Sequence, residues 1–102
     1  MAHITDAIQQ IFAYTEGMDY SEFRTVRMAQ DAVIRQFEII GEAAKNLSAE
    51  FRSRNDSIPW KDLAGFRDKL IHQYFGVDLA TVWRSVEDDL PVLVEELRRI
   101  PV

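Results

Sequence analysis

From Glu22 to Leu47 the chain runs without a proline, while Val26, Val33, Phe37, Ile40, Ala44 and Leu47 recur at near-heptad spacing broken only by Gln30. A strand would put such residues on alternating faces, whereas an α-helix gathers them on one side. The spacing predicts one long helix. A second stripe of Met28, Ala32, Ile39 and Ala43 lies on another side, so this helix is expected to pack on two faces and act as a central spine. Gly41 in its interior costs roughly 1 kcal/mol relative to alanine. Close approach of another helix is the usual compensation, and a dimer partner could supply it.

The rest of the chain reads the same way. Ile4, Ala7, Ile8, Ile11 and Phe12 form a helical stripe that Gly17 ends, and Asp19 or Ser21 can cap the next helix. A short polar helix fits residues 48–54. Asn55, Asp56, Ser57 and Pro59 then read as a loop, with the proline at a helix start. A fourth helix is expected from Trp60 to about Phe75, stopped by Gly76. After it, Asp78 can cap a last one carrying Leu79, Val82, Val86, Leu90, Leu93 and Leu97, which Pro91 should kink or split. With no strand candidate and no internal repeat, the fold class is all-α: an up-and-down bundle of about five helices. Trp60, Trp83 and Phe37 are assigned to its core.

At 102 residues and 47% apolar composition, one domain over residues 1–102 is expected. Only three prolines and four glycines occur, so neither a disordered tail nor a second module is indicated. There is no cysteine, which excludes disulfides, thiolate zinc sites and cysteine nucleophiles together. No stretch approaches the roughly 18 apolar residues of a membrane span, and the N-terminus lacks a signal-peptide pattern, so a soluble, cytoplasmic protein is expected. The net charge of −5 opposes non-specific binding to nucleic acid, whose affinity comes mainly from cations replacing counterions along phosphates. An RNA partner must therefore meet a local patch.

Two histidines are the only imidazoles. His3, near the terminus, reads as an exposed residue of no catalytic weight. His72 is more informative. On a wheel at about 100° per residue, Leu63, Phe66, Leu70 and Tyr74 form the core face, while Asp68 and His72, four apart, lie side by side opposite. Such a histidine is simply solvated in most proteins. If another protomer covers this face, Asp68 would favour the imidazolium and help fix the ring, which suits proton transfer near neutral pH. Arg67 shares a side with Tyr74, but Arg67 and His72 differ by about 140°. Arginine can reach round, the helix can distort near Gly76, or the working pair can combine two chains. Each arrangement gives a guanidinium for phosphate and an imidazole for acid or base work.

The run Arg67, four residues, His72, one residue, Tyr74 matches the R-x4-H-x-Y signature of HepT-like proteins, minimal members of the HEPN superfamily, which the chain resembles. Gln30-Asp31-Ala32-Val33-Ile34-Arg35 and Ile39-Ile40-Gly41-Glu42-Ala43 look like that family's long second helix. Ile58-Pro59-Trp60, Phe75-Gly76-Val77-Asp78, Val82-Trp83 and Asp89-Leu90-Pro91 look like its C-terminal half, so the likeness covers nearly the whole chain. One position departs: the family most often has asparagine after the motif arginine, where this chain has Asp68, an acidic substitution that other HEPN proteins accept.

The resemblance implies a metal-independent endoribonuclease toxin without cofactor, acting as a homodimer with the two motif helices facing across a cleft. On that scheme His72 is general acid or base for attack of the ribose 2′-OH on the adjacent phosphate. Arg67 binds the phosphorane-like transition state, and Asp68 orients His72. Transfer RNA is the implied substrate class. Tyr74 matches the tyrosine that a cognate minimal nucleotidyltransferase antitoxin, of the MntA type, modifies with AMP, adding bulk and negative charge beside the catalytic pair. Read without the resemblance, Tyr74 is a core aromatic closing the helix end, and both roles can coexist. Two competing classes remain: a HEPN module kept for nucleotide or partner binding, suggested by Asp68 and the acidic balance, and a purely structural helical dimer.

Overall fold

The computed structural model describes residues 2–61, 63–64 and 79–100. All regular structure among the described residues is helical: α1 (Ala2–Thr15), α2 (Tyr20–Phe23), α3 (Arg27–Lys45), α4 (Ala49–Arg54), helical residues on either side of position 62, α5 (Leu79–Arg84), a π-helical turn (Ser85–Asp89) and α6 (Leu90–Arg98). The molecule measures 41 × 28 × 18 Å. Its least dimension is two helix layers deep, since packed helices lie about 8–10 Å apart.

The principal seam runs between α1 and α3. Ile4, Ile8 and Ile11 are sealed against α3, whose Val33, Phe37, Ile40 and Ala44 are all buried. Each such aliphatic side chain contributes about 1.5–3 kcal/mol on burial. Thr15, the buried polar residue of this layer, donates its hydroxyl to the Ile11 carbonyl at 2.8 Å, so no polar atom of it is stranded. Gly17 then takes φ +76°, the left-handed conformation that ends a helix at little cost only in glycine.

The expected single helix over residues 22–47 is in fact two. Asp19 caps α2 by accepting from the Glu22 N–H at 2.9 Å, and the helix stops after one turn. Val26 is extended at φ −106° and ψ 94°, and α3 starts behind it without a side-chain cap. Gln30, the residue that interrupts the apolar spacing, explains the break: its side-chain amide donates to the Phe23 carbonyl at 2.9 Å and ties the end of α2 to α3. The Thr25 hydroxyl donates to the Glu22 carbonyl at 2.9 Å, further favouring a turn over helix. Val26 is consequently exposed rather than core. Phe23 instead swings inward to meet the Trp83 ring, centroids 5.0 Å apart.

Of the second α3 stripe, Met28 is 84% exposed, and Ala32, Ile39 and Ala43 are only half-buried. Gly41 is buried. At the other end Ser48 caps α4 through the Phe51 N–H at 3.0 Å. The loop after α4 is pinned by the Trp60 indole N–H, which donates to the Asn55 carbonyl at 3.0 Å while the ring packs on Phe51.

Pro91 does split the last helix, by way of a wide turn. It occupies the first turn of α6, and its ring would collide with the carbonyl four residues earlier in an unbroken α-helix. The π-helical turn accommodates it, with the Leu90 N–H reaching back to the Ser85 carbonyl. Val82, Val86, Leu90, Leu93 and Leu97 all remain buried through this irregularity, and Phe37, Trp60 and Trp83 lie in the core as expected. Among the described residues no helix is long and apolar enough to cross a membrane.

Candidate functional site

Arg67, Asp68, His72 and Tyr74 lie outside the described residues, as do Phe66, Leu70, Gly76 and the proposed cap Asp78. The structure describes the scaffold on which the motif-bearing segment is hung. On its N-terminal side the Trp60 hydrogen bond and the Leu63 N–H, which donates to the Pro59 carbonyl at 3.1 Å, fix where the segment departs. Leu63 and Ala64 already pack on the core. On its C-terminal side Leu79 opens α5, which is held through Val82 and Trp83. Both attachments are therefore anchored in the bundle.

Three hollows among the described residues differ in chemistry. A groove of about 410 Å³ has an apolar floor that includes Phe37, Ile40, Leu63 and Leu93. Its rim carries Asp88, Asp89 and Glu96, the last accepting from the Ser57 hydroxyl at 3.2 Å. That rim would repel phosphate. A second hollow of about 280 Å³ brings exposed His3 beside Arg35, Glu38 and Glu42. There Arg35 is already engaged by Glu38 at 3.3 Å. A third, of about 350 Å³, is lined by Arg52, Lys61, Trp60 and Asp56. Among the described residues no group of three or more histidine, cysteine or carboxylate side chains could hold a metal ion.

Several other basic side chains are occupied locally. Arg27 faces Asp31 at 3.9 Å and Arg98 meets Glu95 at 3.0 Å, while Arg54 is bonded to Glu50 one turn away. Such exposed pairs stabilise little, but they neutralise cations that could otherwise meet an anion. Arg52 and Lys61 were not singled out by sequence reasoning. They stand on opposite sides of a loop, and only the Trp60 and Asn55 contacts that fold this loop bring them to one hollow.

The family model for "Ribonuclease HepT-like" proteins matches residues 4–100 of the chain. The protein named "Gamma-glutamylcyclotransferase and putative RNase MJ0434" of Methanocaldococcus jannaschii is 50% identical over 98 residues. That alignment takes in 96% of this chain but 44% of the relative, so the chain spans less than half of that longer protein. "Putative RNase MJ0125" of the same organism is 44% identical, with 95% of this chain and 84% of the relative aligned. "Probable ribonuclease HepT" of Thermococcus cleftensis is 43% identical, with 94% and 90% aligned. No solved structure matches the chain. With the match extending from the first turn of α1 to the end of α6 on an all-helical scaffold, the chain belongs to the HepT-like ribonuclease family.

Proposed function

We propose that this protein is a metal-independent endoribonuclease, the toxin of a toxin–antitoxin pair, and that it cleaves transfer RNA. The observation that carries the reading is the R-x4-H-x-Y run at Arg67, His72 and Tyr74, set in a chain that matches the family model over residues 4–100. His72 takes the proton of a ribose 2′-OH as the oxygen attacks the adjacent phosphorus. The bond to the 5′-oxygen breaks, that oxygen receives a proton, and a cyclic phosphate end is left. Arg67 holds the charge that builds on the non-bridging oxygens, where preorganised positive charge contributes most. Asp68 orients the imidazole.

The working form is a homodimer of one-domain chains in the cytoplasm, with the cleft made by two protomers. The open stripe of α3, with Met28 84% exposed beside half-buried Ala32, Ile39 and Ala43, supports a second protomer on that side. A cognate minimal nucleotidyltransferase silences the enzyme by transferring AMP to Tyr74, placing a phosphate beside Arg67 in competition with RNA.

The test is cleavage of transfer RNA in chelator by protein purified without its antitoxin, compared with His72→Ala. Cleavage by the wild type alone is expected. Equal cleavage by both, or none by an intact-mass-verified unmodified homodimer, removes the proposal. The acidic rim of the groove at Asp88, Asp89 and Glu96 favours a second reading, a partner-binding module without catalysis. Growth arrest on expression alone, abolished by Arg67→Ala at equal protein level, decides against that module.

A further inference from the structure

A chain with net charge −5 offers RNA few landing places, and the helix-internal ion pairs of Arg27, Arg35, Arg54 and Arg98 reduce them further. Arg52 and Lys61 make no such pair among the described residues, and they lie together. They converge on the hollow of about 350 Å³ beside α4, over apolar ground provided by Ala49, Ile58 and Pro59. Among the described residues the Arg52 Nε is shut off from solvent and has no hydrogen-bond partner. A guanidinium cannot shed its charge, and with its Nε sealed against the protein an anion in the hollow can be met only by the terminal nitrogens of the fork, beside the Lys61 ammonium. Among the residues lining the hollow the one carboxylate is Asp56, which is exposed and makes no ion pair with either cation.

We infer that the Arg52–Lys61 hollow binds a backbone phosphate of the RNA, outside the R-x4-H motif. The inference rests on the ribonuclease reading for its choice of anion. Arginine presents a planar fork to two phosphate oxygens, and the lysine ammonium adds a point charge beside it. Lys61 precedes Arg67 by six residues, so their Cα atoms lie at most about 22 Å apart whatever path the chain takes. That reach allows a phosphate at the hollow and one at Arg67 to belong to one strand, a few nucleotides apart. The hollow would fix the register of the RNA, and the motif would cut it.

The experiment measures binding of labelled bulk transfer RNA to His72→Ala protein across a salt series, and cleavage by the otherwise wild-type chain in parallel. Removing two phosphate contacts should flatten the slope of log K against log salt by about 1.4 to 1.8. That corresponds to roughly 25- to 60-fold weaker binding at 0.1 M salt, with the difference closing toward 1 M. Arg52→Gln/Lys61→Gln keeps the side-chain stems and should show this loss. Arg24→Gln/Arg99→Gln, both exposed and neither lining the Arg52–Lys61 hollow, changes net charge equally and should leave the slope nearly intact. Arg52→Lys should restore much of the slope, and Asp56→Asn should tighten binding. Equal losses from the two double variants, or no loss from Arg52→Gln/Lys61→Gln while His72→Ala protein still binds, overturns the inference. Salt-dependent binding through Arg52 and Lys61 in a protein that never cleaves upholds the hollow and removes only the ribonuclease reading.

Discussion

Gln30→Leu should destabilise the protein by about 1.5 kcal/mol, although it places a hydrophobic residue where the apolar spacing of the helix asks for one. The native amide donates to the Phe23 carbonyl at 2.9 Å, and losing an intramolecular hydrogen bond costs about 1 kcal/mol. The carbonyl keeps only the Val26 N–H at a long 3.4 Å, which adds about 1 kcal/mol for an under-satisfied, partly buried group. Leucine returns about 0.5 kcal/mol, since position 30 is half-buried and glutamine already covers it with two methylenes. The net loss corresponds to a fall in Tm of about 6–12 °C for a domain of this size. Thermal and urea unfolding followed by circular dichroism measure it. The near-ultraviolet signal should change as well, because α2 carries Phe23 against Trp83 with centroids 5.0 Å apart. If residues 22–47 formed one continuous helix, leucine would instead complete its buried stripe and raise Tm. A stabilised variant with an unchanged aromatic spectrum refutes the break and the role assigned to Gln30.

Two further substitutions probe the scaffold. Ile8→Ala, at a fully buried position of the α1–α3 seam, should cost about 2–5 kcal/mol, and Ile8→Val about 0.5–1.5, by urea unfolding. A cost below 1 kcal/mol for the alanine variant would mean the seam does not hold the bundle. Gly17→Ala should cost about 1 kcal/mol, because beyond the glycine and its chain neighbours no atom lies within 4 Å of the added Cβ and the penalty is that of left-handed backbone alone. Gly17→Asn should cost less, and equal losses in both variants would point to a steric cause.

Burial left a clear imprint on the sequence wherever it repeats with the helical period. Ile4, Ile8 and Ile11 on α1, Val33, Phe37, Ile40 and Ala44 on α3, and Val86, Leu90, Leu93 and Leu97 near the C-terminus are all buried as their spacing predicts. Asp19 was likewise legible as a cap and Ser48 as a helix start, since a cap needs only one oxygen just before a helix. The break at Val26 was not legible. Its apolar side chain continues the stripe, and the interaction that ends the helix runs from a side chain to a backbone carbonyl seven residues away. Pro91 announced an irregularity, but whether a helix kinks, stops or widens into a π turn depends on what the flanking Val86 and Leu90 must keep touching. The candidate site divides along the same line. Arg67, His72 and Tyr74 fall within one short run, where fixed spacing makes a motif visible. Arg52 and Lys61 are joined only by how a loop closes.

Net charge is a poor guide to RNA affinity in such a chain, for a reason the ion pairs make concrete. Screening limits an exposed charge to about 10 Å at 0.1 M salt, so a phosphate feels the groups beside it and not the sum over the surface. Four arginines direct their charge at carboxylates of their own helices, and the acidic residues Glu87, Asp88 and Asp89 are concentrated on the exposed side of the π-helical turn. The count of −5 therefore averages over paired charges, an acidic patch, the small cationic hollow and the exposed Arg24, Arg84 and Arg99, and these act independently on any strand that approaches. If the Arg52–Lys61 hollow binds RNA as inferred, repulsion from the acidic patch on the π-helical turn gives that hollow a larger share in deciding where a strand binds.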